Sequence, residues 1–170
     1  MRRELLLGAG HRRDKLLSVP GHEQWEGLTT LDINPMCDAD VVWDLEQLPL
    51  PFEADSFDEI HAYETIEHLG RQGDAPSFFR QFTEFHRILK PDGLLFATVP
   101  DWRSDGAWGD PSHTRVINAM TLAFLSQKEY AVQVGRTAMS DYRHLYTADF
   151  ETMYARAENE VFRFVIKAVK

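Results

Sequence analysis

Between Phe78 and Pro100 the hydrophobic pattern changes from the period of a helix to that of a strand buried on both faces, a succession that few architectures accept. Phe78, Phe82, Phe85 and Leu89 recur at i, i+4, i+7 and i+11, the spacing of one apolar helix stripe. This stripe reads as core. Lys90-Pro91-Asp92-Gly93 stops the helix, and Leu94 to Val99 is then a run, apolar but for Thr98, up to Pro100, as in a parallel sheet covered on both sides. The same alternation starts near residue one: Glu4 to Leu7 reads as a short strand, Gly8-Ala9-Gly10 as a tight turn, and His11 to Leu17 as a helix. Further strands are read at Leu28 to Ile33, Val41 to Trp43 and Phe57 to Tyr63, whereas Leu48 to Phe52, with two prolines, is a connection. Alternating strand and helix signals predict a doubly wound α/β sheet.

The C-terminal part is less regular. Asp101 to His113 reads as a polar loop with Trp102 and Trp108, while Ile117, Met120 and Phe124 predict one helix. Phe150, Met153, Tyr154 and Ala157 predict another, and Val161 to Val169 a last strand at or near an edge. At 170 residues the chain is expected to be one domain over 1–170, with a regular half over 1–100 and a less regular half over 101–170.

Lysine and arginine number 18 against 27 aspartates and glutamates, a net charge of −9, which disfavours broad contact with nucleic acid. Cys37 is the one cysteine, so an internal disulfide is excluded and a reducing, cytoplasmic setting is the expectation. The apolar run Leu5 to Leu7 is too short for a secretory leader, and no segment approaches the roughly 20 apolar residues of a membrane span.

In open α/β sheets ligands bind beyond the carboxyl ends of the strands. Those ends are Gly8-Ala9-Gly10, Asp32, Asp44, Glu64 to His68, and Pro100-Asp101. Glycines let backbone approach a ligand closely, and Asp32 lies 22 residues beyond Gly10, near the ~20-residue offset at which an acid meets ribose hydroxyls. An adenosine-type cofactor fits both features; so would an ordinary strand-to-helix turn and a solvated acid. Arg13 stands where a dinucleotide fingerprint has its third glycine, which leaves less room for a pyrophosphate unless the arginine itself meets a phosphate.

LLLGAG, TTLDINP, DVVWDLEQLPLPFEADSFDEIHAYETIEHL and FHRILKPDGLLFATVPD, in this order and spacing, resemble the class I S-adenosylmethionine-dependent methyltransferases, in particular the small type 11 branch. The resemblance spans Leu5 to Asp101, and DPSHTR at Asp110 to Arg115 looks like a further shared element. It implies a Rossmann-like, mostly parallel, three-layer α/β/α sheet of about seven strands with the last antiparallel. It also implies S-adenosylmethionine as cofactor, with Gly8, Ala9 and Gly10 at its amino-acid part, Asp32 on the ribose hydroxyls, Ile33 on an adenine face, Asp44 and the Leu45 N–H reading the adenine edge, and Glu64 bordering the methionine portion. Position 12 is Arg12 where the family has a small residue, and only four residues precede Leu5. A more open site, one that a second copy of the chain could cover as a homodimer, is therefore expected.

Methyl transfer depends chiefly on placement of the nucleophile, but a hydroxyl or ammonium acceptor must also lose a proton, and histidine is the side chain best poised for that. His68 and His113 are the catalytic candidates; each could equally serve only its local backbone. Trp102, Trp108 and Tyr146 are candidates for an acceptor wall, the acceptor being a small molecule, sugar or peptide. The histidines show no paired ligand spacing, so no metal is expected. A non-catalytic S-adenosylmethionine-binding relative and a nicotinamide-dependent oxidoreductase are the alternatives.

Overall fold

The computed structural model describes residues 1–170. Its strands are β1 (Arg3–Leu7), β2 (Gly27–Asp32), β3 (Val41–Val42), β4 (Phe57–Tyr63), β5 (Leu89–Pro100), β6 (Phe150–Glu158) and β7 (Val161–Ala168), and its helices α1 (Ala75–Ile88), α2 (Gly106–Gly109), α3 (Ala119–Ala123) and α4 (Gln127–Gln133). They form one seven-stranded sheet in the order β3-β2-β1-β4-β5-β7-β6. β1 to β5 pair in parallel, and β7 runs antiparallel between β5 and β6. From β1 the chain builds outward through β2 and β3, then returns to place β4 on the other side of β1. That reversal opens a crevice at the carboxyl ends of β1 and β4.

The two faces of the sheet are covered by different chemistry. On one, Leu5, Leu7, Ile60, Ala62, Leu95 and Ala97 join Phe78, Phe82, Phe85 and Ile88 of α1 in a single hydrophobic core. Each of the buried Leu, Ile and Phe side chains contributes about 1.5–3 kcal/mol. Asp74 caps α1 by accepting from the Ser77 N–H at 3.0 Å. Leu122, Leu125 and Tyr130, from α3 and α4 and the link between them, belong to the same core, so these helices share the face of α1. Glu84 and Arg87 of α1 also hold the proline-rich connection: Glu84 accepts from the Leu50 N–H at 2.7 Å, and Arg87 donates to the Phe52 carbonyl at 2.8 Å.

The opposite face presents Glu4, Leu6, Glu59, His61 and Phe96, all buried. Its cover is irregular chain. The helix expected over His11 to Leu17 does not form. Instead Lys15 drops onto the sheet, bonded to Glu4 and, at 2.8 Å, to Glu59, while Trp25 stands edge-on to His61 at 4.8 Å. His61 stacks on Phe96, with centroids 4.6 Å apart. A lysine committed to two buried carboxylates takes the chain along a path a helix could not follow.

The helix expected from Phe150, Met153, Tyr154 and Ala157 is strand β6. Its pairing with β7 slips between Thr152 and Tyr154, so a bulge at Met153 displaces the two-residue alternation and imitates helical spacing. β7, expected at or near an edge, is one strand inside it. No helix is long and apolar enough to cross a membrane.

Candidate functional site

Asp32, the last residue of β2, is only 8 % exposed. Its Oδ2 accepts from the Gly10 N–H at 2.7 Å and its Oδ1 from the Asn34 N–H at 2.8 Å. A carboxylate has about four acceptor positions, so each oxygen keeps one for a ligand. The Ala9 N–H donates to the Leu31 carbonyl at 3.1 Å, tying the same turn to β2 a second time. Arg13 locks it from outside, donating to the carbonyls of Gly10 and Cys37 at 2.7 and 2.9 Å. The arginine that could have met a phosphate is thus bound to backbone oxygens. Spacing alone did not reveal this bracing of the turn by Asp32 and Arg13.

Gly8 has φ +60°, and a Cβ there would come within 2.4 Å of Thr65 Oγ1. Gly10 has φ +49°, and a Cβ there would meet nothing within 4 Å. The first glycine is thus required by the protein's own packing, while the second leaves open space over the crevice. Gly8→Ala is expected to destabilise the fold by about 2–3 kcal/mol, part from the left-handed backbone and part from overlap with Thr65. Adding Thr65→Ala should restore the overlap part in urea unfolding; equal losses in the single and double variants would contradict this.

Two adjoining cavities occupy the crevice. The first, about 350 Å³, is lined by Gly8, Asp32, Ile33, Trp43, Asp44, Leu45, Glu64 and His68 among others. The second, about 380 Å³, is lined by Gly8, Ala9, Gly10, His11, Arg12 and Glu64 among others. Gly8 and Glu64 border both. Ile33 presents its side chain at 64 % exposure, an apolar surface next to an acidic one. Asp44 Oδ1 accepts from the Glu46 N–H at 2.9 Å, and the Leu45 N–H makes no hydrogen bond within the chain. A donor and an acceptor therefore stand side by side at one end. All eight residues expected to hold the cofactor, Gly8, Ala9, Gly10, Asp32, Ile33, Asp44, Leu45 and Glu64, lie on the two cavities.

His68 lines the first cavity, and its ring meets that of His113 edge-on with centroids 4.7 Å apart. Beneath them is Glu67, which the strand-end reading passed over as part of a segment. Burial, reinforced by the nearby charges of Glu64 and Asp110, pushes its carboxyl up to about 8.

The acceptor-wall candidates do not converge. Tyr146, expected at the acceptor, is fully buried and donates from its hydroxyl to the Leu125 carbonyl at 3.2 Å; it is a core residue, and burial raises its phenol far above the usual range. Its phenol satisfies a carbonyl inside the core, which its place in the sequence could not reveal. Trp108 donates from its indole to the Trp102 carbonyl at 2.9 Å. Both tryptophans are exposed, yet neither lines the crevice, and Trp102 borders a separate hollow with Met120 and Phe162.

Comparison with known proteins agrees with the fold. A family model described as a methyltransferase domain matches residues 24–97, from just before β2 to within β5. An S-adenosylmethionine-dependent methyltransferase from Archaeoglobus fulgidus superposes with a TM-score of 0.61 at 16 % identity, covering 98 % of this chain and 86 % of that one. An S-adenosylmethionine-dependent methyltransferase from Mesorhizobium loti gives 0.53 at 14 % identity, covering 98 % and 90 %. The cyclase SpnF gives 0.58 at 14 % identity, covering 99 % and 74 %. At such identities the likeness concerns the fold. No curated protein matches the chain.

Proposed function

We propose that this chain, whose residues 24–97 match a methyltransferase-domain family model, is a class I S-adenosylmethionine-dependent methyltransferase of the type 11 branch that transfers a methyl group to a small-molecule, sugar or peptide acceptor. The observation that carries the reading is the pair of cavities joined at Gly8 and Glu64. Their size suits a nucleoside with an amino-acid arm, and the open space above Gly10 leaves its backbone approachable.

When bound, the cofactor supplies an electrophilic methyl on a sulfonium: the sulfur–carbon bond breaks as the bond to the acceptor nucleophile forms, leaving a neutral thioether. The residues of this chain would do the holding. In this reading Asp32 accepts from the ribose hydroxyls with its free acceptor positions, charge-assisted bonds stronger than neutral ones. Asp44 and the Leu45 N–H meet the adenine edge, Ile33 covers its face, and Glu64 with the turn at Gly8 to Gly10 borders the methionine arm. Residues 1–100 would thus bind cofactor and residues 101–170 face the acceptor, whose proton leaves toward His68 and His113. The net charge of −9 supports an acceptor other than nucleic acid. Arg13, turned onto carbonyls, supports the sulfonium cofactor over a dinucleotide.

The test is release of S-adenosylhomocysteine when the chain and S-adenosylmethionine meet a panel of hydroxyl compounds, amines, sugars and peptides. Turnover with one acceptor class is expected. Thermal protection by NAD or NADP, with none by S-adenosylmethionine or S-adenosylhomocysteine, would contradict the proposal.

A further inference from the structure

Glu67 is 2 % exposed, and neither of its carboxylate oxygens has a hydrogen-bond partner. A buried acid left this way is costly unless something else completes it. The loop beyond β5 is fastened directly over it, since the N–H groups of Thr114 and Arg115 donate to the Glu67 carbonyl at 2.9 and 3.0 Å. That fastening brings His113 to His68, and one ligand-capable atom from each of Glu67, His68 and His113 lies within 4.8 Å of the others.

Both imidazoles are oriented by backbone. His68 Nδ1 is 3.1 Å from the Ser112 carbonyl and His113 Nδ1 is 2.9 Å from the Gly106 carbonyl. A carbonyl only accepts, so each Nδ1 carries the proton and each Nε2 keeps a lone pair. Carbonyl anchoring of the remote nitrogen is the arrangement that fixes metal-binding histidines. Glu4, Glu59 and His61 are grouped as closely, but there the Lys15 ammonium already bridges the two carboxylates. No such cation accompanies Glu67.

We propose that Glu67, His68 and His113 bind a divalent cation at the acceptor end of the crevice, two imidazole nitrogens and a carboxylate suited to manganese, iron, cobalt or zinc. Metal–ligand distances of about 2.1 Å place ligand atoms roughly 3 to 3.5 Å apart, so side-chain movements of about 1 Å close the set. Asp110, with Oδ2 3.8 Å from His113 Nε2, supplies a further carboxylate at the rim. His68 lines the first cavity, which puts an open coordination position toward the crevice. A hydroxyl acceptor would fill it and lose its proton to water as the cation polarises the oxygen, so with the cation bound the two histidines serve as ligands in place of the proton-accepting role given them above. This use of the cation rests on the methyltransferase reading; the site itself does not.

The expectation of no metal followed sequence spacing, and the fold joins residues 45 positions apart that spacing could not connect. Chelator-treated full chain, without cofactor, is titrated with Co²⁺ followed by absorption and with Mn²⁺ followed by calorimetry. One saturable site with ligand-field absorption is expected, and Glu67→Gln and His113→Gln should each weaken it at least about tenfold. The two changes lie on separate segments, so misfolding of one, seen by circular dichroism, leaves the other decisive. No heat and no cobalt band up to about 1 mM cation, or unchanged affinity in a folded variant, would overturn the proposal. S-adenosylhomocysteine binding on the same preparation separates the two ideas: cofactor binding without cation binding removes the cation site alone, and cation binding without cofactor binding removes the methyltransferase reading while the site stands.

Discussion

Lys15→Met is expected to destabilise the protein by about 3–5 kcal/mol, the range for removing one partner from a buried ion pair. Lys15 has a side chain 3 % exposed and bonds to Glu4 and Glu59, at 0 % and 1 %. Without the ammonium two carboxylates would face each other in the sheet, with Arg2 Nε no nearer than 3.6 Å to either. Because the lysine also shapes the path of residues 11–26, the loss should reach the Gly8 to Gly10 turn. Chemical denaturation measures it. Adding Glu4→Gln should recover part of the loss by removing one orphaned charge, and a single variant within about 1 kcal/mol of wild type would contradict the assignment.

The same cluster sets an acid limit. Burial pushes the Glu59 carboxyl up, but hydrogen bonds from His61, Lys15 and His22 outweigh it and hold the group well below its usual 4.5. Burial likewise depresses His61 below 6.5. Both groups bind fewer protons folded than unfolded, so their stabilisation is present at higher pH and is lost on acidification, beginning near 6.5 for the histidine and deepening below 4.5 for the glutamate. Wild type should therefore keep its stability advantage over Glu59→Gln above pH 4.5 and lose it progressively as the pH falls below that value in denaturation series; an advantage that stays constant on further acidification would show that the carboxylate does not titrate as described.

Five parallel strands and the principal helix were legible because each is bounded by marks with one physical meaning: an apolar run against a turn, or Lys90 to Gly93 after an aromatic stripe. The lining of the crevice was legible for the same reason, since a parallel sheet delivers residues at or just beyond its strand ends, such as Asp32 and Asp44, to one edge whatever covers its faces. The cover itself was not. Leu16 and Leu17 beside Lys15 read as helix until Glu4 and Glu59, distant in sequence, claim the lysine, and a bulge at Met153 disguises β6. Tyr146 and the Glu67–His113 grouping escaped for a related reason: a loop's destination is decided by long-range bonds, here Thr114 and Arg115 on the Glu67 carbonyl.

Asp32→Ala should act twice. Losing the charge-assisted bonds to two ribose hydroxyls that we propose for it is expected to weaken S-adenosylmethionine and S-adenosylhomocysteine binding about 100-fold or more. Leaving the Gly10 and Asn34 N–H groups without their acceptor should also lower stability by about 1–3 kcal/mol. Asp32→Asn keeps one carbonyl oxygen for the turn and should recover more stability than affinity. A variant with unaltered affinity would move the nucleoside away from β2.

Calorimetric titration of S-adenosylhomocysteine into the unmodified full chain and into Asp44→Ala tests the central claim most directly. One saturable site in the wild type, weakened about tenfold by loss of the Asp44 carboxylate, is the predicted result. No heat at millimolar ligand, or equal affinity in the two proteins, would contradict a nucleoside lying across the ends of β1, β2 and β4.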